Sequence, residues 1–158
     1  MQIQPNPAAC LVAAFANVSG KKIEDLIEKI GHAGTQINEN NKNCVNPYIG
    51  FHIQEIIEAC HFDLAITEIM PAYADLIDIE LPIGKWDNFQ ERVRSYLKQY
   101  NGVLVFLSYI DENHSPVYHS VAWFCATQSY FNSATNRWHT LSDKDDCRIF
   151  WIVEPKGE

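Results

Sequence analysis

With 158 residues, 47% of them hydrophobic, the chain has enough apolar material for one substantial core, so we expect a single domain over residues 1–158. Its formal net charge of −8 argues against a nucleic-acid-binding protein, because contacts to phosphates require clustered Lys and Arg; a neutral or cationic protein or peptide partner is expected instead. The sequence contains neither a run of about eighteen apolar residues nor a basic leader with a cleavage site, so no membrane span and no signal peptide are predicted.

The first predicted element is a helix over residues 7–18 that is apolar on nearly every face and rich in alanine. Asn6 followed by Pro7 is typical of a helix start, because Asn caps free amides and Pro tolerates the first helical position. A helix without a polar face is expected at the centre of the fold. A second, amphipathic helix is predicted over residues 21–30, where apolar residues recur at helical spacing and Gly31 provides a left-handed stop.

The middle of the chain alternates between structured and irregular segments. Residues 34–47 are rich in Asn and show no apolar period, which indicates a loop that borders the site. Helical spacing over residues 49–60 and strand-like alternation over residues 62–69 follow. Residues 70–85 contain two Pro and one Gly, which favours a connection, and a further amphipathic helix is predicted over residues 87–100.

The last third of the chain has the composition of a β-sheet. β-branched and aromatic runs occupy residues 103–110, 119–127, 130–132 and 148–153, separated by polar turns. Helices therefore come first and strands follow, which is the pattern of an α+β fold. We expect N-terminal helices, with the central buried helix packed on a C-terminal antiparallel sheet.

Cys10 is the strongest candidate for a chemically reactive residue. It lies at the start of the first predicted helix, where exposed amides and the helix dipole favour a thiolate and lower the thiol pKa. The chain has five cysteines, an odd number without a close pair, so a disulfide framework is not expected. Free cysteines are also among the most buried residue types, so a packing role for Cys10 is the competing interpretation.

A cysteine nucleophile requires a base, a group that orients the base, and donors for the oxyanion. His119 opens a predicted strand and is our candidate base. Asn132 lies on the next strand, across a turn at residues 126–129, where its carbonyl can accept the imidazole N–H. Gln4 is the candidate oxyanion donor, together with the backbone N–H of Cys10.

Other residues compete for these roles. His114 and His139 are alternative bases in predicted turns, and Asn136 is an alternative orienting residue. A zinc site is the other use of His and Cys, and the nearest candidates are Cys44, His52, Cys60 and His61. They lack paired metal-ligand spacing, so neither a metal nor another cofactor is expected.

A Gln six positions before a Cys at a helix start, a late His opening a strand and an Asn on the next strand resemble the papain-like cysteine peptidase superfamily, above all its small bacterial and phage members. The resemblance implies Cys10 as nucleophile, His119 as base, Asn132 as orienting residue and Gln4 as oxyanion donor. It implies a thiol protease that attacks a protein or peptide amide through a thioester.

The papain-like fold also hosts bacterial effector glutamine deamidases, so deamidation of a protein partner is an alternative to proteolysis. A non-catalytic binding or adaptor protein of the same fold is a second alternative. The cytoplasm is the expected location, with signal-independent secretion as an effector the alternative. The sequence leaves the oligomeric state open.

Overall fold

The computed structural model describes residues 1–69, 86–108, 113–114, 116–142 and 144–157, with the backbone alone for residues 86–90 and 92. Within these ranges the chain forms four α-helices: α1 (Cys10–Ser19), α2 (Ile23–Ile30), α3 (Ile53–Cys60) and α4 (Trp86–Gln99), with a short 3-10 helix at Glu39–Asn41. It also forms six strands: β1 (Leu64–Ile69), β2 (Gly102–Ser108), β3 (Val117–Phe124), β4 (Ser129–Asn132), β5 (Arg137–His139) and β6 (Cys147–Pro155). The connection predicted over residues 70–85 lies outside the described residues.

The six strands belong to one sheet in the order β1-β6-β2-β3-β4-β5, and every neighbouring pair is antiparallel. Strand β1, which follows the first three helices in the sequence, lies at the edge of the sheet against β6. The predicted α+β class is confirmed. No helix among the described residues has the length and apolar character needed to cross a membrane.

Helices cover both faces of the sheet, because successive side chains of a strand point to opposite sides. On β2, Val103 and Val105 belong to the apolar cluster that contains α1, α2 and α3. Leu104, between them, belongs to the second cluster, which includes Val93 and Leu97 of α4. The central strands are therefore buried on both faces.

Helix α1 is the central buried helix that its composition predicts: every residue from Leu11 to Asn17 is buried. It begins at Cys10, three residues later than expected from Asn6 and Pro7. The Oδ1 of Asn6 accepts the backbone N–H of Ala8 at 2.8 Å, so this side chain closes a separate turn ahead of the helix. The prediction that Asn6 and Pro7 start the helix was therefore wrong: the N-cap residue is Ala9, and no side chain caps α1.

Other elements also differ from the prediction. The helix expected over residues 49–60 begins at Ile53, because Gly50 adopts a left-handed φ of 80° that ends regular helix geometry. Strand β3 begins two residues before His119. The predictions also missed β5, whose three residues are exposed at the sheet edge and too few to show an apolar period.

Candidate active site

Cys10 is the first residue of α1, and its sulfur lies against the backbone of β3. The Sγ is 4.0 Å from the carbonyl oxygen of Tyr118. The backbone N–H groups of Ser120 and Leu11 act on the same sulfur by lowering the pKa of the thiol. The Leu11 N–H is available because the first amides of a helix have no acceptor within the helix. The thiol therefore lies where donors from a helix start and from a strand converge.

His119 connects Cys10 to Asn132. Its imidazole lowers the pKa of the Cys10 thiol through a hydrogen bond and its charge, and its Nε2 is 3.0 Å from Asn132 Oδ1. The same Oδ1 accepts the backbone N–H of Ala134 at 3.0 Å, which fixes the amide with its oxygen toward the ring. Nε2 must then be the donor, and Nδ1 is left as the ring nitrogen for Cys10.

The two ionisable groups shift each other's pKa. Burial raises the pKa of the Cys10 thiol, but the hydrogen bond and charge of His119, with the backbone N–H groups of Ser120 and Leu11, bring it below its ordinary value. Burial lowers the pKa of His119, but the hydrogen bond and charge of Cys10, with the bond to Asn132, bring it above its ordinary value. Both shifts favour a thiolate beside an imidazolium.

Gln4 is fixed to the turn that follows Asn132. Its backbone N–H donates to the Ser133 carbonyl at 3.2 Å, and its Oε1 accepts the Ser133 hydroxyl at 3.0 Å. Its Nε2 donates one hydrogen to the carbonyl of Asn6 at 3.0 Å. An amide nitrogen carries two hydrogens, so one N–H of Gln4 is left without a partner among the described residues; Gln4 itself does not line the cleft at Cys10. The terminal segment is ordered by these bonds.

Sequence analysis did not identify Ser133 as part of the site. Its side chain is 2% exposed, and its hydroxyl orients the Gln4 amide across 129 positions of the chain. In the sequence, a Ser that follows an Asn at the end of a strand indicates only a turn. Its position beside Asn132 was the only local signal, because the contact itself depends on the fold.

Cys10 opens onto a cleft of about 460 Å³. Val105, Ile149 and Trp151 of the sheet line it, and so do residues of the Asn-rich segment 34–47 that was predicted to border the site. Asn46 attaches this segment to the chain just before α1, since its Nδ2 donates to the Pro7 carbonyl at 3.2 Å. Cys10 is therefore accessible from this cleft.

The alternative site residues lie elsewhere. His139 is stacked on Tyr130, with ring centroids 5.3 Å apart, and Asn136 has a left-handed φ of 56° in the β4–β5 turn. His114 lies three residues before β3. Of the histidines proposed as the base, His119 is the one hydrogen-bonded to Cys10.

The four residues considered for zinc do not form a metal centre. His52 and His61 flank the two ends of α3, and Cys60 is buried in the apolar cluster around α1. Across the described part of the chain, no three His, Cys, Asp or Glu side chains are grouped as metal ligands. All five cysteines are free thiols.

Two comparisons of this chain with known proteins were negative. No family model matches it. No curated protein matches it either. What the site can do is therefore judged from its own chemistry, in which a thiolate beside an imidazolium acts as a nucleophile near neutral pH.

Proposed function

We propose that this protein is a papain-like cysteine hydrolase that attacks an amide carbonyl of a protein or peptide through a thioester intermediate. The observation that carries the proposal is the hydrogen-bonded series Cys10, His119 and Asn132. It combines a nucleophile, a proton carrier and an orienting group in one chain of contacts. A cysteine used only for packing needs none of these partners.

In the first half of the reaction, the Cys10 thiolate attacks the carbonyl carbon and forms a tetrahedral oxyanion. The imidazolium of His119 donates its Nδ1 proton to the leaving nitrogen as the C–N bond breaks. The products of this half are an amine or ammonia and a thioester on Cys10. Asn132 keeps the ring in position throughout, since its oxygen accepts the Nε2–H in both protonation states.

The oxyanion is stabilised by two donors in this mechanism. The backbone N–H of Cys10 belongs to the first helical residue, so it has no acceptor within α1. The second N–H of the Gln4 amide is the other donor, held in place through Ser133. Donors fixed before the reaction need no reorganisation when the charge develops, which is the basis of oxyanion stabilisation.

In the second half, neutral His119 takes a proton from water, and the resulting hydroxide attacks the thioester carbonyl. The C–S bond breaks, a carboxylic acid leaves, and the thiolate and imidazolium are restored. A peptide bond and a glutamine side chain both satisfy this balance, releasing a peptide amine or ammonia respectively. A reduced compartment such as the cytoplasm suits the mechanism, since Cys10 must stay a free thiol.

A non-catalytic binding protein of the same fold is the competing proposal. It requires no activated thiol, so the reactivity of Cys10 distinguishes the two. At pH 7, site-resolved mass spectrometry is expected to show iodoacetamide labelling Cys10 faster than the half-buried Cys44 and Cys125. Equal labelling of the three thiols contradicts the hydrolase.

The product identifies the bond that is attacked. Wild type and Cys10→Ala are incubated with the same unfolded protein, such as reduced casein, and the mixture is analysed by mass spectrometry. A gain of about one dalton at Gln indicates deamidation, whereas shortened chains indicate proteolysis. Both changes are expected to disappear in Cys10→Ala.

A further inference from the structure

Glu68 presents a fixed carboxylate to the cleft that contains Cys10. It lies on β1 directly opposite Trp151 of β6, and its Oε2 accepts the Trp151 indole N–H at 2.8 Å. Trp151 is 6% exposed, so its ring is immobilised by the core and holds the carboxylate in turn. Within the described residues, Oε1 of Glu68 has no hydrogen-bond partner and is available to a ligand.

The cleft has an acidic character. Among the described residues that line the cleft, Glu68 is the one that carries a carboxylate, and none is Lys or Arg. The net charge of −8 has the same sign, so the surrounding field also attracts cations. A bound segment that carries a positive side chain fits this end of the cleft.

The order of the strands gives the distance between this carboxylate and the nucleophile. Cys10 lies against β3, Glu68 is on β1, and the strand order from one to the other is β3-β2-β6-β1. Three strand spacings of about 4.8 Å give about 14 Å across the sheet, and the register places Glu68 level with Ala122, about 10 Å along β3 from the backbone that Cys10 contacts. The separation is therefore about 17 Å. An extended peptide advances about 3.3 Å per residue, so about five residues cover this distance, and three or four are enough when a long side chain reaches forward.

We propose that Glu68 is a specificity-determining residue that selects substrates with Lys or Arg three or four residues from the reacting amide. The inference rests on the proposed hydrolase function, and it adds the charge and position of a recognised side chain. Arg can pair with the carboxylate through its guanidinium fork and Lys through its ammonium group, while the aliphatic stems cover the apolar floor of the cleft.

The test uses a peptide library made by Glu-C digestion of a whole-cell lysate, which leaves Lys and Arg inside the peptides. Mass spectrometry identifies every peptide that is cleaved or deamidated by wild type and not by Cys10→Ala. The frequency of each residue is then counted on both sides of the reacted amide. For wild type, Lys and Arg are expected to be enriched about three- to fivefold at one position three or four residues away, as suits a partly exposed ion pair.

Three variants define the role of Glu68. Glu68→Gln keeps a hydrogen-bond acceptor for Trp151 and is expected to abolish the enrichment while products still form. Glu68→Lys is expected to deplete Lys and Arg at the same position through charge repulsion. Glu154→Gln makes the same charge change at an exposed residue of β6 that does not line the cleft, and it is expected to leave the enrichment unchanged.

The outcomes separate the two proposals. Products without any Lys or Arg enrichment, or enrichment that persists in Glu68→Gln, overturn the role of Glu68 and leave the hydrolase intact. The absence of products above the Cys10→Ala background overturns the hydrolase, and the specificity proposal with it. Near-ultraviolet circular dichroism of each variant verifies that the surroundings of Trp151 are preserved.

Discussion

Two opposing effects act on the thiol of Cys10. Burial alone makes a thiolate costly, and the buried Cys147 shows the result, because its pKa is raised far above the ordinary value chiefly by burial. Cys10 is half-buried, and burial raises its pKa as well, yet the net effect lowers it. The difference lies in its partners, since His119 provides both a hydrogen bond and a positive charge.

The pH dependence of labelling follows from these pKa shifts. Because the pKa of Cys10 is lowered, its iodoacetamide labelling is expected to persist as the pH falls below the range where ordinary thiols react. His119→Ala removes the hydrogen bond and the charge but not the burial, so labelling at pH 7 is expected to slow and to recover only at higher pH. Rates are measured at each cysteine by mass spectrometry from pH 5 to about pH 9.

The control for this prediction is His61→Ala, which removes an exposed imidazole at the end of α3. Its labelling profile at Cys10 should match wild type. An unchanged profile in His119→Ala would contradict the pairing of the two residues. Hydrolysis itself should also decline at high pH, once His119 loses its proton above its raised pKa, because the leaving nitrogen then lacks a donor.

Gln4 is expected to matter for hydrolysis and not for alkylation. Attack on a carbonyl creates an oxyanion, whereas displacement of iodide by the Cys10 thiolate does not. Gln4→Ala is therefore expected to lower kcat about 100- to 1000-fold, as for loss of one oxyanion donor. The iodoacetamide rate at Cys10 is expected to change little. Equal losses in both reactions would show that Gln4 acts on the thiol or on the fold instead.

At the level of secondary structure, the turn that follows β4 positions two residues of the candidate site, His119 and Gln4. Residues 132–134 orient His119 through the Asn132 side chain and Gln4 through Ser133. The hairpin of β3 and β4 was predictable, because strand-forming runs flank a polar turn. The attachment of Gln4 was not, since a terminal residue has no local pattern that selects its partner.

Gly102 at the start of β2 is the most sterically restricted glycine of the central sheet. A Cβ added there would collide with the Trp151 carbonyl oxygen and the ring of Phe150. Phe150 is fully buried and cannot move aside without disturbing the core. Gly102→Ala is expected to lower the free energy of unfolding by about 1–3 kcal/mol, measured by urea denaturation.

Gly157→Ala is the matched control, because a Cβ at Gly157 meets no atom within 4 Å. Its free energy of unfolding is expected to stay within about 0.5 kcal/mol of wild type. A similar loss in both variants would mean that steric exclusion at β2 is not the cause.

At the level of the whole molecule, stability depends on the apolar cluster that joins α1 to the sheet. Phe15 is fully buried there, and its ring centroid is 5.8 Å from that of Trp151. Phe15→Ala is expected to cost about 3–5 kcal/mol, because it removes apolar contacts and leaves a cavity. Phe62→Ala makes the same substitution at a side chain that is 82% exposed, and is expected to change stability by less than about 0.5 kcal/mol.

Thermal unfolding of the two Phe variants tests this view of the core. If both variants were equally destabilised, the loss of an aromatic ring in itself would explain the lower stability better than the loss of packing between α1 and the sheet. Since α1 also carries Cys10, partial loosening in Phe15→Ala should slow iodoacetamide labelling at that thiol toward the rates of Cys44 and Cys125.

The sequence by itself determined the features that depend on near neighbours: the buried character of α1, the position of Cys10 at its start and the hairpin that carries His119 and Asn132. Hydrophobic periodicity and turn preferences depend on residues that are close in the sequence, so they can be predicted from a single sequence. The tertiary structure alone decided that Ser133 holds Gln4 and that Trp151 holds Glu68 across 83 positions. The Trp151–Glu68 contact follows from the pairing of β1 with β6, and the Gln4–Ser133 contact from the position of the N-terminal segment against the turn after β4. Neither arrangement can be predicted from patterns of neighbouring residues, because both join distant parts of the chain.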